Sequence, residues 1–366
     1  MDLTCAPTNE GKPSLSLVMT VYNCASFLRE SLSSVFAQDY DGPMELIIVD
    51  DASTDASRDV LKDMVPQSPM KVKTVFLKQN RGVSGATQAG WDLATGDWII
   101  MIDGDDVQMP DRCTRTAEIV TRFPEAGLIC MSRVLVDEAG HVYARGGYGL
   151  QEYEQCSDLL YLKTPSERYL NCVPSPYFKR LSGFGCAMAF NRRVLTMWGP
   201  LWRGVETERF AQDPTWELRA LLSFPVVGSK VLACRYRSHS GNLLNRTFHT
   251  EDAAEWLRQR ELMMSHFYKM DTATHRQMLR DLDRADAEEG LCDWSVEQRS
   301  KLRTELMLQL TSREMCESWW EVSWFERARR AFHYRKRVSA NFSRWAWPRL
   351  LPLRLFCHLK TRLKQK

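Results

Sequence analysis

Four short apolar runs, SLSLVMTVY, MELIIVD, VKTVFL and WIIMID, lie between Ser14 and Asp103, and each is followed by a stretch with helical periodicity. In SFLRESLSSVFAQ the bulky residues Phe27, Leu28, Leu32, Val35 and Phe36 recur at helical spacing. SRDVLKDMV, the stretch from Ser84 to Leu93, and CTRTAEIVTRF follow the other three runs. Four consecutive β-then-α units predict an α/β fold with a mostly parallel sheet covered by helices on both faces. Ligands of such sheets sit in the crevice at the carboxyl ends of the strands. The polar punctuation falls at those ends: Tyr22-Asn23, Asp50-Asp51, Asn80-Arg81-Gly82 and Asp103-Gly104-Asp105-Asp106. The pattern therefore predicts four loops converging on one site.

Beyond residue 130 the rhythm loosens, with Gly146-Gly147, several prolines and the Gly-rich GFGCAMAF, then the helix-like DPTWELRALLS and the strand-like VVGSKVLACRYR. From Glu251 to about Arg337 the spacing is helical, as in AAEWLRQRELMMSHFYKM, with no strand signal. The divisions expected are a tail over 1–13, two halves of one α/β domain over 14–130 and 131–248, a helical extension over 249–337 and a basic tail over 338–366.

The chain is 366 residues long, 44% hydrophobic and 26% charged, a balance expected of a folded domain with a sizeable core. Its eleven cysteines are scattered without a C-x-x-C pair, which argues against a disulfide framework or a structural zinc site and for a reducing, cytoplasmic setting. The opening residues carry no basic start followed by an apolar run, and no segment approaches the roughly eighteen uninterrupted apolar residues a membrane span needs, so neither a signal peptide nor a spanning helix is expected. The net charge of +3 conceals an asymmetry: residues 327–366 hold 13 Lys or Arg and no acid, leaving 36 basic against 46 acidic residues elsewhere.

Chemistry concentrates in WIIMIDGDDV. Alternate residues of an extended segment point the same way, so Asp103 and Asp105 can face one ligand, at the cost of mutual repulsion. A hard divalent cation removes that repulsion; magnesium or manganese takes one or two protein carboxylates and fills its remaining positions with phosphate oxygens and water. The competing reading is an acidic turn that caps the next helix. In IIVDDASTD, Ser53, Thr54 and Asp55 suit helix capping, while the Asp50-Asp51 pair can accept hydrogen bonds from a nucleobase imide or a ribose hydroxyl.

In order and spacing, SLVMTVYNCASFLRESLSSVFAQDY, MELIIVDDASTD and NRGVSGATQAGWDLATGDWIIMIDGDD resemble the amino-terminal half of family 2 glycosyltransferases with the GT-A fold. The resemblance covers residues 14–125 closely and 180–245 more loosely. It implies an inverting transferase that uses a nucleotide-activated sugar, most often a uridine diphosphate sugar, with Mn2+ or Mg2+. The donor nucleotide would meet Thr20, Tyr22, Asn23, Asp50, Asp51, Arg81, Gly82, Asp103 and Gly104, with Asp51 near the base and Asp103 near the ribose. Asp105 and His239 would approach the metal, His239 by analogy with a Y-R-x-H segment here written YRSH, where Arg235 and Arg237 suit an anionic leaving group. The family's catalytic base is the Asp of a Glu-Asp pair that opens a helix; the match is AQDPTWELRALL, with Gln212 in place of Glu and Asp213 intact. Asp213 followed by Pro214 also reads as an ordinary helix N-terminus. Thr87 and Gln88 stand where the family often has Arg and Asn. On this reading 14–130 is the nucleotide-sugar half and 131–248 the acceptor half.

Trp198, Trp202 and Trp216 fit either a sugar-stacking platform or the core. The tail interleaves Trp345, Trp347, Leu350, Leu351, Leu353, Leu355 and Phe356 with cations, a composition suited to an anionic membrane surface or to packing on the domain, and less to nucleic acid. The partners expected are a nucleotide sugar and a glycan or lipid-linked acceptor in cell-surface polysaccharide or glycolipid synthesis. Competing classes are a sugar-nucleotide binder whose Gln212 marks a decayed site, a transferase acting on tRNA, and a glycoside hydrolase, which would need two opposed carboxylates and no metal site.

Overall fold

The computed structural model describes residues 11–145, 159–172, 185–200, 212–242, 253–317, 319, 322–323 and 325–329. Two compact units are distinguished: Met1–Ser238 with Arg284–Ser295, and His239–Asp283 with Val296–Lys366.

The first unit is built on one sheet. Its strands are β1 Leu15–Val21, β2 Met44–Asp50, β3 Lys71–Phe76, β4 Trp98–Asp103, β5 Val107–Gln108, β6 Leu128–Val136, β7 Val142–Arg145, β8 Leu159–Leu162, β9 Met188–Asn191 and β10 Val226–Arg237. They run in the order β3-β2-β1-β4-β9-β6-β10-β5, with β7 on β6 and β8 on β10. The first four pair in parallel, as their βα rhythm predicts. β9 then enters antiparallel to both β4 and β6, and β10 returns parallel to β6. The two halves expected from the change of rhythm after residue 130 thus share a single mixed sheet, which β9 joins into one surface.

Strands β1 and β2 are buried along almost their whole length because helices cover both faces. On one face Leu15, Leu17, Met19, Ile48, Ile100 and Ile102 pack with Leu28, Leu32 and Val35 of α1 (Ala25–Phe36) and with Cys113 and Ala117 of α4 (Arg112–Arg122). Each such side chain contributes about 1.5–3 kcal/mol when fully buried. On α3 (Gly82–Trp91), Gly90 lets the helix close onto β1: a Cβ there would lie 2.4 Å from Val18 Cγ1. β3, at the sheet's edge, is half exposed and alternates lysine with apolar residues, and its Lys73 pairs with Glu45 at 2.9 Å. A lysine on an edge strand also discourages pairing with a further strand.

Four more helices complete this description: α2 Ser57–Met64, α5 Pro165–Cys172, α6 Arg192–Trp198 and α7 Gln212–Ser223. Trp198 and Trp216 are core residues rather than a platform: both are buried, Trp216 lies 4.5 Å from Trp91 between ring centroids, and Trp198 Nε1 donates to Ser223 Oγ at 2.9 Å. Trp202 lies outside the described residues. Cys24, Cys113, Cys130, Cys186, Cys234 and Cys292 are free thiols.

The second unit contains α8 (Ala253–Ala287) up to Asp283 and α9 (Val296–Glu317). Within it, the buried His275 ring bonds Gln309 Oε1 at 2.9 Å and Asp271 accepts from Arg313, a polar pairing of α8 with α9. Among the described residues no helix is long and apolar enough to cross a membrane. The basic tail over 338–366 lies outside them.

Candidate active site at the strand ends

The parallel register aligns the strand ends: Thr20 stands opposite Asp103, and Val21 opposite Asp50. Thr20 Oγ1 donates to Asp103 Oδ1 at 3.3 Å, and the Gly104 amide donates to Thr20 O at 2.9 Å. Space beside Gly104 is tight, since a Cβ would meet Cys24 Sγ and Thr20 O at 3.0 Å. Beside them the Asp51 amide donates to Val21 O, and the Asp51 carboxylate accepts from the Arg81 amide at 2.6 Å. Asn80 Nδ2 reaches Asp51 O at 3.2 Å. The four loops predicted from the sequence are therefore stitched to one another at one end of the sheet.

Within this cluster the side chains divide by task. Asp50 is wholly buried and held at 2.6 Å by Arg58 Nε, while the Ser53 amide also points at its carboxylate. That places Asp50 in the support of the β2 turn rather than at a ligand. Asn23, at φ 48°, spends its side-chain oxygen on the Thr54 amide at 2.8 Å, and its own amide donates to Ser53 Oγ. It ties the first loop to the second. Tyr22 and Arg81 are exposed at the rim, and Gly82 opens α3 at φ 72°. The Thr87 side chain is buried, and Gln88 Nε2 donates to Asp92 Oδ1 within the helix.

Four carboxylates mark the chemistry. Burial first, then the charges of Asp105 and Asp213, push Asp103 well above the ordinary carboxylate range. Asp213, at the start of α7, is therefore close enough to be felt at the end of β4. Burial raises Asp213 too, opposed by the Gly185 amide, 2.9 Å from its Oδ2, and by the charge of Arg133. Asp106 is raised foremost by its complete burial; one oxygen accepts from the Arg237 amide at 2.9 Å and the other has no hydrogen-bond partner. Asp105 is only partly buried. A group of carboxylates at one strand end suits a hard divalent cation, which would be met by oxygen ligands at Asp105.

Arg237 does not serve an incoming anion. Its guanidinium is buried against Phe27 and donates to Asp105 O, Glu138 O and Glu30 Oε2, so it clamps the Asp105-Asp106 turn from behind. Arg235 is exposed. His239 belongs to the second unit, where its ring accepts from the Gly241 amide at 3.1 Å and lies 3.2 Å from Asn242 Nδ2. Both ring nitrogens are thus engaged by their own turn. Asp106 Oδ, Cys186 Sγ and Cys234 Sγ lie within 4.8 Å of one another. The bond from Cys234 and then burial raise the Cys186 thiol, and both cysteines pack in an apolar cluster with Ala187 and Ala233.

Arg58, Arg237, Arg133 and Gly185 were not singled out as supports of the site by sequence pattern. Arg58 alone offered a signal, lying on α2 eight residues beyond Asp50.

Residues 16–193 match the family model described as Glycosyl transferase family 2. Over 115 residues the chain is 40% identical to the uncharacterized glycosyltransferase alr2836 of Nostoc sp., covering 31% of this chain and 35% of that protein. It is 35% identical over 112 residues to the succinoglycan biosynthesis protein ExoO of Rhizobium meliloti, 31% of each chain. The chain thus spans about a third of the length of these relatives. In fold it is similar to the crystal structure of S. aureus TarS 1-349 in complex with UDP, with a TM-score of 0.51 and 14% identity over 95% of this chain and 91% of that one. The family match and the strand-end site coincide on the same part of the chain: residues 16–193 are a Glycosyl transferase family 2 domain with the GT-A fold.

Proposed function

We propose that this protein is an inverting glycosyltransferase that moves a sugar from a nucleoside diphosphate donor to a hydroxyl acceptor. The observation that carries the reading is the convergence of Asp103, Asp105 and Asp213: two carboxylates at the end of a nucleotide-type strand, with a third from a distant helix near enough to alter the first. Asp51 faces the base and Asp103 the ribose. Asp105 would hold Mg2+ or Mn2+, and the ion would supply charge that neutralises a diphosphate leaving group. Asp213 takes the acceptor hydroxyl's proton as that oxygen attacks the anomeric carbon from the face opposite the leaving group. Burial favours this step by raising the carboxylate's basicity, and the Gly185 amide opposes that rise by donating to the carboxylate.

A uridine diphosphate sugar is the donor we favour, in line with the family resemblance and with UDP in the TarS complex. The acceptor class we favour is a glycan or lipid-linked sugar of surface polysaccharide synthesis, in line with the name of ExoO. The setting is cytoplasmic, with the basic tail on an anionic membrane surface.

The test is nucleotide release from a panel of nucleotide sugars, with Mn2+, Mg2+ or EDTA, by wild type and Asp213→Asn. Metal-dependent release from one donor, slowed about 100-fold or more by Asp213→Asn with donor affinity unchanged, is expected. Donor binding with no turnover in the presence of any glycan acceptor would favour the decayed-site reading instead.

A further inference from the structure

The Gly-rich GFGCAMAF leaves a residue that neither the sheet nor donor binding explains. Gly185 opens a short 3-10 turn, Gly185–Ala187, directly before β9, and is buried. It is not among the glycines with positive φ, so backbone freedom does not account for it. Space does. A Cβ on Gly185 would lie 2.6 Å from Asp213 Oδ1, 3.1 Å from its Cγ and 3.2 Å from its Oδ2, and these are the three nearest heavy atoms. The contact at 2.6 Å is closer than a carbon and an oxygen can approach without one of them moving. The same residue's amide donates to Asp213 Oδ2 at 2.9 Å.

Taken together, the amide fixes one carboxylate oxygen and the missing side chain leaves room for the other. We propose that Gly185 is a positioning residue that sets the orientation of the Asp213 carboxylate for proton abstraction from the acceptor. The inference rests on the reading of Asp213 as the base. An amide donor is suited to this task, since it stabilises the ionised form without competing for its proton. It is fixed by the sheet, because the turn runs straight into β9, which pairs with both β4 and β6. Gly185 therefore ties the base to the strand that carries Asp103.

The experiment is a double-mutant cycle on the full chain, with Gly185→Ala, Asp213→Asn and the pair, read as kcat and donor KM separately. Gly185→Ala is expected to lower kcat about 10–100-fold with donor KM unchanged, as for a reacting group displaced by about 1 Å. In the Asp213→Asn background it should lower kcat no further. An inactive Asp213→Asn beside a fully active Gly185→Ala would overturn the inference alone, and so would independent, multiplying losses. A wild-type kcat in Asp213→Asn would overturn the base assignment and the inference with it. Melting temperatures supply a reading free of turnover: Gly185→Ala should destabilise the wild type and do so much less in an Asp213→Ala background, where the struck atoms are gone. Equal losses in both backgrounds would overturn the contact.

Discussion

Arg58 Nε stands 2.6 Å from Oδ2 of the fully buried Asp50, closing the β2 turn with an ion pair whose acidic partner has no access to water. Arg58 also donates to Leu77 O and lies over the Phe76 ring, so one side chain joins the ends of β2 and β3. Removing one partner of such a pair leaves an uncompensated buried charge. Arg58→Ala should cost about 3 kcal/mol, the lower end for a buried pair because the arginine itself is partly solvated. Asp50→Asn combined with Arg58→Ala should cost less than the sum of the two single changes. Denaturant titration of the four proteins checks this.

Acid should loosen the other side of β2. Although burial alone would raise it, bonds from Lys73, Thr95 and Ser16 hold Glu45 down to about 2. A depressed carboxylate stabilises the folded state above its unfolded value near 4.5, and that contribution is lost as pH falls toward 2. It amounts to at most about 3 kcal/mol. Glu45→Gln should therefore be less stable than wild type at pH 6, with the gap closing by about pH 2; a gap constant across that window would contradict the assignment.

Arg237 acts on the Asp105-Asp106 turn and on Glu138 through backbone carbonyls, so on the proposed reading of Asp105 its loss has a defined signature. Arg237→Ala should raise the Mn2+ or Mg2+ concentration needed for half-maximal nucleotide release by about 10–100-fold, the range for losing a group that orients a ligand. Arg237→Lys should restore little, because one ammonium cannot span Asp105 O, Glu138 O and Glu30 together. Titrating metal against rate for the three proteins measures this.

Trp216 separates packing from sugar stacking. Buried between Trp91 and Phe190, with Arg219 over its ring at 4.7 Å, it should cost about 3–5 kcal/mol as Trp216→Ala. Trp216→Phe should lower the melting temperature while leaving acceptor KM unchanged.

How far these features could be read in advance follows from what holds each one. The apolar runs at Leu15–Val21, Met44–Asp50 and Trp98–Asp103 announced parallel strands because helices bury them on both faces, and the polar residues that end them had to share one edge. Placing Thr20 beside Asp103 needed only that register. β9 gave no such signal: four residues wedged antiparallel between parallel strands have no period long enough to read. The supports of the site were equally silent, since Arg237 reaches back some 130 positions to Asp106 and Gly185 matters through an aspartate 28 residues later. His239 read as a ligand because its segment matched a pattern, whereas its ring is engaged by Gly241 and Asn242.

The most direct test of the donor site is calorimetric titration of UDP into the protein with and without Mn2+, in wild type, Asp51→Ala and Asp105→Ala. The account predicts metal-dependent binding by wild type, binding weakened about 10-fold or more by Asp51→Ala through loss of its hydrogen bonds to the base, and loss of the metal's effect in Asp105→Ala. Binding by wild type that is indifferent to Mn2+ and to both substitutions would contradict it.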